Sequence, residues 1–346
     1  MPSTIFSKKN PDDKHEYFSA FAGKEHSLSS VLNSSGKHIQ DFQAIVALPF
    51  FHVGSEKLWI GPDWNPSLIT SFHISYQTGL PIVDVMMSRT SWSQTFESIR
   101  LADGPFSQKK ILDRFSDKPL LILADTQYTT DINELYLTTM ADSLLTWDRF
   151  RIYSLSKSRL LASQKEIIDS TVKIAYQSQE ETGIILPPGS DSFLYVNHFD
   201  NGLVEGKMGK GFYQEKFEQD PVLDLIPLPQ LKYDHKLVIN IWAKVNDYKY
   251  NGPSYLIDQF NADSQHVYHQ NIGAKLSTMT EKGLWLLTEK VVDIHPQAAF
   301  MTVRIDDGKA SNRNYMALDE LALYPVHATY FYKKDKALYL NNRKVR

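Results

Sequence analysis

An α/β sheet domain followed by an all-β sandwich is the fold class predicted for this chain, on three observations. Through residues 41–156, short buried apolar runs alternate with stretches of helical periodicity. From residue 191 onward, period-two and aromatic runs are separated by Gly, Asn, Asp and Pro clusters, with no strong helical segment. Between the two halves, Leu186, Pro187, Pro188, Gly189 and Ser190 make a turn-rich break. A chain of 346 residues also exceeds a typical single core and suits two.

In chain order, residues 1–40 are polar and breaker-rich, and read as a lead-in. Phe42, Ala44, Ile45, Val46, Ala47 and Leu48 form a run suited to a strand buried on both faces, which exits at His52, Val53, Gly54, Ser55 and Glu56. Ser67 is the expected N-cap of a helix carrying Leu68, Ile69, Phe72 and Tyr76 and ended by Gly79. Pro81 then opens a second apolar strand over 82–87. A helix at 109–115, a strand at 119–124, an amphipathic helix at 131–145 and a strand at 150–154 continue the alternation, which predicts parallel strands. Residues 157–190 read as a partly helical connection. Strands are expected at 193–199, 222–226, 236–245, 254–259, 283–292, 298–305 and 316–323, the last closed by Pro325, which has no N–H for a sheet ladder. The sandwich is bounded at 191–330, and residues 331–346 read as a tail.

Hydrophobic residues make up 42% and charged residues 22%, as in folded water-soluble proteins. The 37 basic and 40 acidic side chains give a net charge of −3, with no basic stripe, which argues against a nucleic-acid partner. The absence of cysteine excludes disulfides, thiolate nucleophiles and cysteine-ligated metal centres, and fixes no compartment. No apolar run reaches the roughly 20 residues that span a bilayer, and Met1, Pro2, Ser3 and Thr4 open the chain without a signal-peptide pattern. The chain starts abruptly and ends with Asn341, Asn342, Arg343, Lys344, Val345 and Arg346, and reads as a soluble portion of a longer protein.

Catalytic motifs are missing: there is no dinucleotide fingerprint, Walker loop or nucleophile elbow. Ligands of open α/β sheets gather at the carboxyl ends of strands, which makes His52, Ser55, Glu56, Arg89 and Asp125 the candidates for a hydrolase or transferase site. Ordinary duties as caps (Ser55, Asp125) and as an ion-pair partner (Arg89) outweigh that reading. His266 with His269, and His198 with Asp200, are not expected to hold a transition metal, because isolated histidine pairs lack a full ligand set. Asp200, Asn201 and Glu205, with Asp319 from the closing strand, offer oxygen ligands suited to a structural calcium, against a plain tight turn at Asp200, Asn201 and Gly202. No other cofactor is expected. Among the aromatics, Tyr248 and Tyr250 in a polar loop are the surface platforms for stacking sugar rings, whereas Trp242 and Trp285 are expected inside.

Two resemblances bear on function. Trp242, Ala243 and Lys244 within 236–245, with Leu318, Asp319, Glu320 and Leu321, resemble the core and terminal strands of jelly-roll carbohydrate-binding modules over about 191–326. The resemblance makes the sandwich a jelly roll, with a glycan or protein partner, so that the fold expected for the chain is an open α/β sheet domain, read from the alternation above, followed by a jelly-roll β-sandwich. The run Leu48, Pro49, Phe50, Phe51, His52, Val53, Gly54, Ser55 and Glu56 is similar to the extracytoplasmic α/β region of bacterial multi-pass membrane proteins of the glycosyltransferase C type. That resemblance implies a noncatalytic extracytoplasmic module, periplasmic or at the cell surface, preceded by a membrane-embedded portion, whose parent's catalytic residues lie outside this sequence.

Overall fold

The computed structural model describes residues 27–53, 61, 66–128, 132–181, 184–187, 195–200, 213–215, 222–228, 236–244, 254–273, 279–281, 285–306, 316–326, 328–334 and 336–345. Its first half contains helices α1 (Leu28–Ser34), α2 (Pro66–Thr78), α3 (Trp92–Ala102), α4 (Ile132–Met140) and α5 (Lys157–Gln177). These surround strands β1 (Ala44–Leu48), β2 (His52–Val53), β3 (Val85–Met86), β4 (Leu120–Asp125), β5 (Asp142–Trp147) and β6 (Phe150–Leu155). Ser91 caps α3 reciprocally with Gln94, and Ser156 caps α5. Ser67, expected as a cap, lies inside α2 and donates to the carbonyl of Leu48.

The main sheet of this half runs β1-β4-β6-β5. Its faces alternate cleanly. Val46, Leu48, Ile122 and Leu155 meet α3, α4 and α5 on one side, and Ile45, Leu121, Leu123 and Ile152 meet α1 and α2 on the other. Only β1 and β4 are parallel, and β6 is antiparallel to both neighbours, which corrects the all-parallel expectation. The cause lies at 141–150. The expected helix ends at Met140, and Asp148, at φ 51°, turns the chain into a hairpin pairing Trp147 with Phe150. The expected strand over 82–87 is also broken. Ile82 bridges Ile45, Val85 and Met86 pair with His52 and Val53, and between them Asp84 accepts the backbone N–H groups of Ala47 and Phe51.

The second half is strand-rich: β7 (Gln179–Glu181), β8 (Ile184–Leu186), β9 (Tyr195–Asn197), β10 (Tyr213–Glu215), β11 (Val222–Pro227), β12 (Lys236–Lys244), β13 (Ser254–Phe260) and β14 (His266–Gly273). It continues with β15 (Met279–Glu281), β16 (Trp285–Asp293), β17 (Phe300–Asp306), β18 (Met316–Pro325), β19 (Phe331–Lys334), β20 (Ala337–Leu340) and β21 (Arg343–Lys344). One sheet runs β10-β18-β12-β16-β15 with β9 beside β18, and a second runs β11-β17-β13-β14. Their facing residues, among them Leu237, Ile239, Ile241, Leu321 and Leu323 against Tyr255, Ile257, Met301, Val303 and Ile305, form one core. This is a β-sandwich. Buried Gln259 ties the sheets together, donating to the carbonyl of Asp293 and accepting the N–H of His295.

A further sheet runs β21-β20-β19-β8-β7. It joins residues read from sequence as connection and tail, and it covers Val238, Trp242, Trp285, Ala322 and Tyr324 of the sandwich with Tyr330, Tyr332 and Ile184. The expected tail is thus three strands. Among the described residues, no helix is long and apolar enough to cross a membrane.

Candidate functional site

The outer face of the β11-β17-β13-β14 sheet gathers the most chemistry. On β13, Tyr255, Ile257 and Gln259 are fully buried toward the core, so Leu256, Asp258 and Phe260 point the other way. On β17, Met301, Val303 and Ile305 face inward and Phe300, Thr302 and Arg304 outward. The pairing register aligns these outward residues in three rows across the strands. One row is His266, Phe260, Phe300 and Pro227; the next is His269, Asp258, Thr302 and Leu225; the third is Asn271, Leu256, Arg304 and Val222. Successive rows lie about 7 Å apart along the strands.

The first row is an aromatic ridge. Phe260 and Phe300 stack with ring centroids 5.2 Å apart and planes 13° from parallel, and His266 meets Phe260 edge-on at 5.5 Å. Leu225 and Val222 are more than half exposed on the same face.

The charged groups beside the ridge converge on Asp258. Its Oδ2 accepts from Arg304 Nε at 2.9 Å and from Nη2, while its Oδ1 faces His269 Nδ1 at 2.8 Å and His266 Nε2 at 3.1 Å. The carboxylate is nearly buried, whereas both imidazoles are about half exposed. Burial alone would raise the Asp258 pKa, but hydrogen bonds from His269, Arg304 and His266 outweigh it and hold the carboxyl below its ordinary value. The hairpin that delivers His266 is tightly specified. Asn261 Oδ1 accepts the N–H groups of Asp263 and Gln265, and Ser264 adopts φ 62°. Asp258 Oδ1, His266 Nε2 and His269 Nδ1 lie within 4.8 Å of one another, so these three residues have the donor set and spacing to hold a metal ion.

Sequence reasoning missed this convergence. His269 stands directly opposite Asp258, and His266 opposite Phe260, because a β-bulge at Val267 puts both imidazoles on one face. Three residues apart in a regular strand, they would point to opposite faces. No strand was expected over His266–Gly273, and Asp258 and Arg304 offered no pattern linking them to the pair.

The residues singled out from sequence are dispersed. Ser55, Glu56, Asn201, Glu205, Tyr248 and Tyr250 lie outside the described residues. His52 is fully buried in β2, and Arg89 is exposed beyond β3. Asp125 pairs with Arg149 through both oxygens and accepts the N–H of Gln127, the role of a structural ion pair. Two carboxylates that sequence reading passed over brace the bend after β1: Asp84, as above, and Glu134, which accepts the N–H of Phe50 at 3.0 Å. Burial pushes the Asp84 carboxyl up to about 8, against backbone donors that favour its ionised form.

Beside β18 of the other sheet, the two carboxylate oxygens of Asp200 each lie 3.3 Å from Lys334 Nζ. That ammonium also reaches Glu320 Oε1 at 3.4 Å, and His198 Nδ1 bonds the other Glu320 oxygen. Asp319 is fully buried in β18, its Oδ1 accepting the N–H of Glu320.

No protein-family model matches the chain, and no curated protein does. Solved structures match parts of it. VP2 of infectious bursal disease virus, in a subviral particle, is similar at 10% identity and a TM-score of 0.26, over 41% of this chain and 34% of that one. The CBM22-1 xylan-binding domain of Paenibacillus barcinonensis Xyn10C is similar at 11% identity and a TM-score of 0.24, over 43% of this chain and 89% of that one. An isomalto-dextranase of Arthrobacter globiformis, complexed with panose, is similar at 12% identity and a TM-score of 0.25, over 52% and 26%. The chain thus spans about a third of the viral protein it matches, and likeness at these scores assigns neither family nor function.

Proposed function

We propose that the sandwich is a noncatalytic glycan-binding module whose ligand lies on the outer face of the β11-β17-β13-β14 sheet. One observation carries the reading: an aromatic ridge stands directly beside a charged strip. Sugar rings bind where their apolar C–H faces meet aromatic surface while their hydroxyls meet planar, charged hydrogen-bonding groups. Phe260 and Phe300 supply the surface, and Arg304, Asp258, His269 and Asn271 supply the groups one and two rows away. Arg304 is held by Asp258, which fixes the guanidinium's orientation on this face.

The wider setting belongs to the same reading. A jelly-roll module in an extracytoplasmic position, as part of a larger membrane protein, rests on the sequence resemblances of 236–245 and of Leu48 to Glu56.

The test is an oligosaccharide screen on the full chain, followed by calorimetry on any hit. Phe300→Ala, with the fold verified by circular dichroism, is expected to weaken binding at least tenfold. A blank screen overturns the reading. So does a hit that survives both Phe300→Ala and Arg304→Ala, including one that is lost instead in Tyr248→Ala or Tyr250→Ala, which would move the site to residues 246–252.

A further inference from the structure

We propose that Asp258, His266 and His269 form a divalent transition-metal site of the zinc type on the outer face of the sandwich. The proposal does not depend on glycan binding.

The carboxylate oxygen stands at coordination distance from both imidazole donors. For metal–ligand bonds of about 2.0–2.2 Å at angles between 90° and 109°, neighbouring donors stand about 2.8–3.6 Å apart. The Asp258 Oδ1 to His269 Nδ1 separation is 2.8 Å and that to His266 Nε2 is 3.1 Å, both edge lengths of a coordination polyhedron, and all three atoms lie within 4.8 Å of one another. Two imidazole nitrogens and one carboxylate oxygen are a donor set that zinc and its neighbours accept with further positions left open. The half-exposed imidazoles leave those positions toward solvent.

Preorganisation comes from the sheet. Asp258 and His269 are register partners, His266 is placed by the Asn261 hairpin, and Arg304 pins the second carboxylate oxygen so that Oδ1 alone faces the imidazoles. A group of this kind orients the ligand while leaving it ionised. The guanidinium's positive charge opposes the cation, which favours moderate rather than buffer-grade affinity.

Without metal, both ring nitrogens share Asp258 Oδ1 by hydrogen bonding. On binding, each gives its lone pair to the ion, and the ring proton sits on the remote nitrogen, Nδ1 of His266 and Nε2 of His269. An imidazole that was doubly protonated releases one proton to solvent.

Zinc chloride alone, titrated into chelator-stripped full-length chain against a chromophoric competitor, is expected to show one saturable equivalent. Cobalt(II) in its place is expected to give an intense visible band of low coordination number. His266→Ala and His269→Ala are each expected to weaken zinc at least tenfold, and His198→Ala, among the chain's 11 histidines, to leave it unchanged. Because Asp258→Asn also disturbs the ion pair with Arg304, the two histidine variants carry the test, with circular dichroism confirming their fold. No saturable binding, or an equivalent that survives the His266→Ala/His269→Ala double variant, overturns the site and leaves the cluster as a hydrogen-bond network.

Discussion

Asn342 has no solvent exposure and uses the whole hydrogen-bonding capacity of its amide. Its Nδ2 donates to Asn240 Oδ1 at 2.9 Å and to the carbonyl of Glu320 at 2.6 Å, and its Oδ1 accepts from the hydroxyls of Tyr330 and Tyr332. Its own carbonyl accepts the indole N–H of Trp242 at 3.1 Å. Asn341 and Asn342, at φ 46° and 64°, form the two-residue turn between β20 and β21, a geometry that asparagine tolerates better than most residues. One side chain therefore sets a hairpin and satisfies four buried polar groups. Asn342→Ala removes these four buried hydrogen bonds and is expected to cost about 2–4 kcal/mol in urea unfolding. A loss below about 0.5 kcal/mol would show that the network is not a stabilising hub.

At the scale of the element, β14 decides what the outer face can do. Its bulge makes a His-x-x-His spacing act as His-x-His, so the pair reads as a metal motif only once the ladder is known. Deleting Val267 straightens the ladder and keeps both imidazoles outward, so zinc affinity is expected to stay within about tenfold of the parent. A folded deletion variant that binds no zinc while the parent does would show that the bulge is not where the register puts it. Much of the rest of the sandwich was legible because buried alternation marks strands: 236–245, 254–259 and 316–323 match β12, β13 and β18 within about two residues. His266–Gly273 escaped because histidine, tyrosine, glutamine and asparagine dominate it, so an edge strand with one exposed face carries no apolar period. The hairpin of β5 and β6 escaped because Leu144 and Leu145 fit the helical pattern of α4 as well as a strand. The network of Asp258, Arg304 and the two histidines escaped because it is assembled by pairing across three strands, which spacing along the chain does not encode.

The largest scale concerns how the parts are tied together. Helix α5 leaves the first half and packs Ile168, Val172 and Ala175 against Phe331, Leu338 and Val345, with Phe106 from the first half in the same cluster. Arg343, nearly buried, pairs with Glu289 of the sandwich, and its charge also acts on buried Asp103 beyond α3. Helix α3 in turn lies against β15. Deletion of residues 331–346 is therefore expected to lower the thermal midpoint of the whole chain and to red-shift tryptophan emission as Trp242 loses its cover. An unchanged midpoint and spectrum would mean that β19, β20 and β21 are dispensable. The pairing of Tyr332 with Ile184 also has a temporal meaning. A ribosome exposes β8 long before it makes the partner that completes the ladder, so the nascent chain carries an open apolar edge through the synthesis of the entire sandwich. Chaperone dependence during translation, rather than slow folding of either half, is the expected signature of that order.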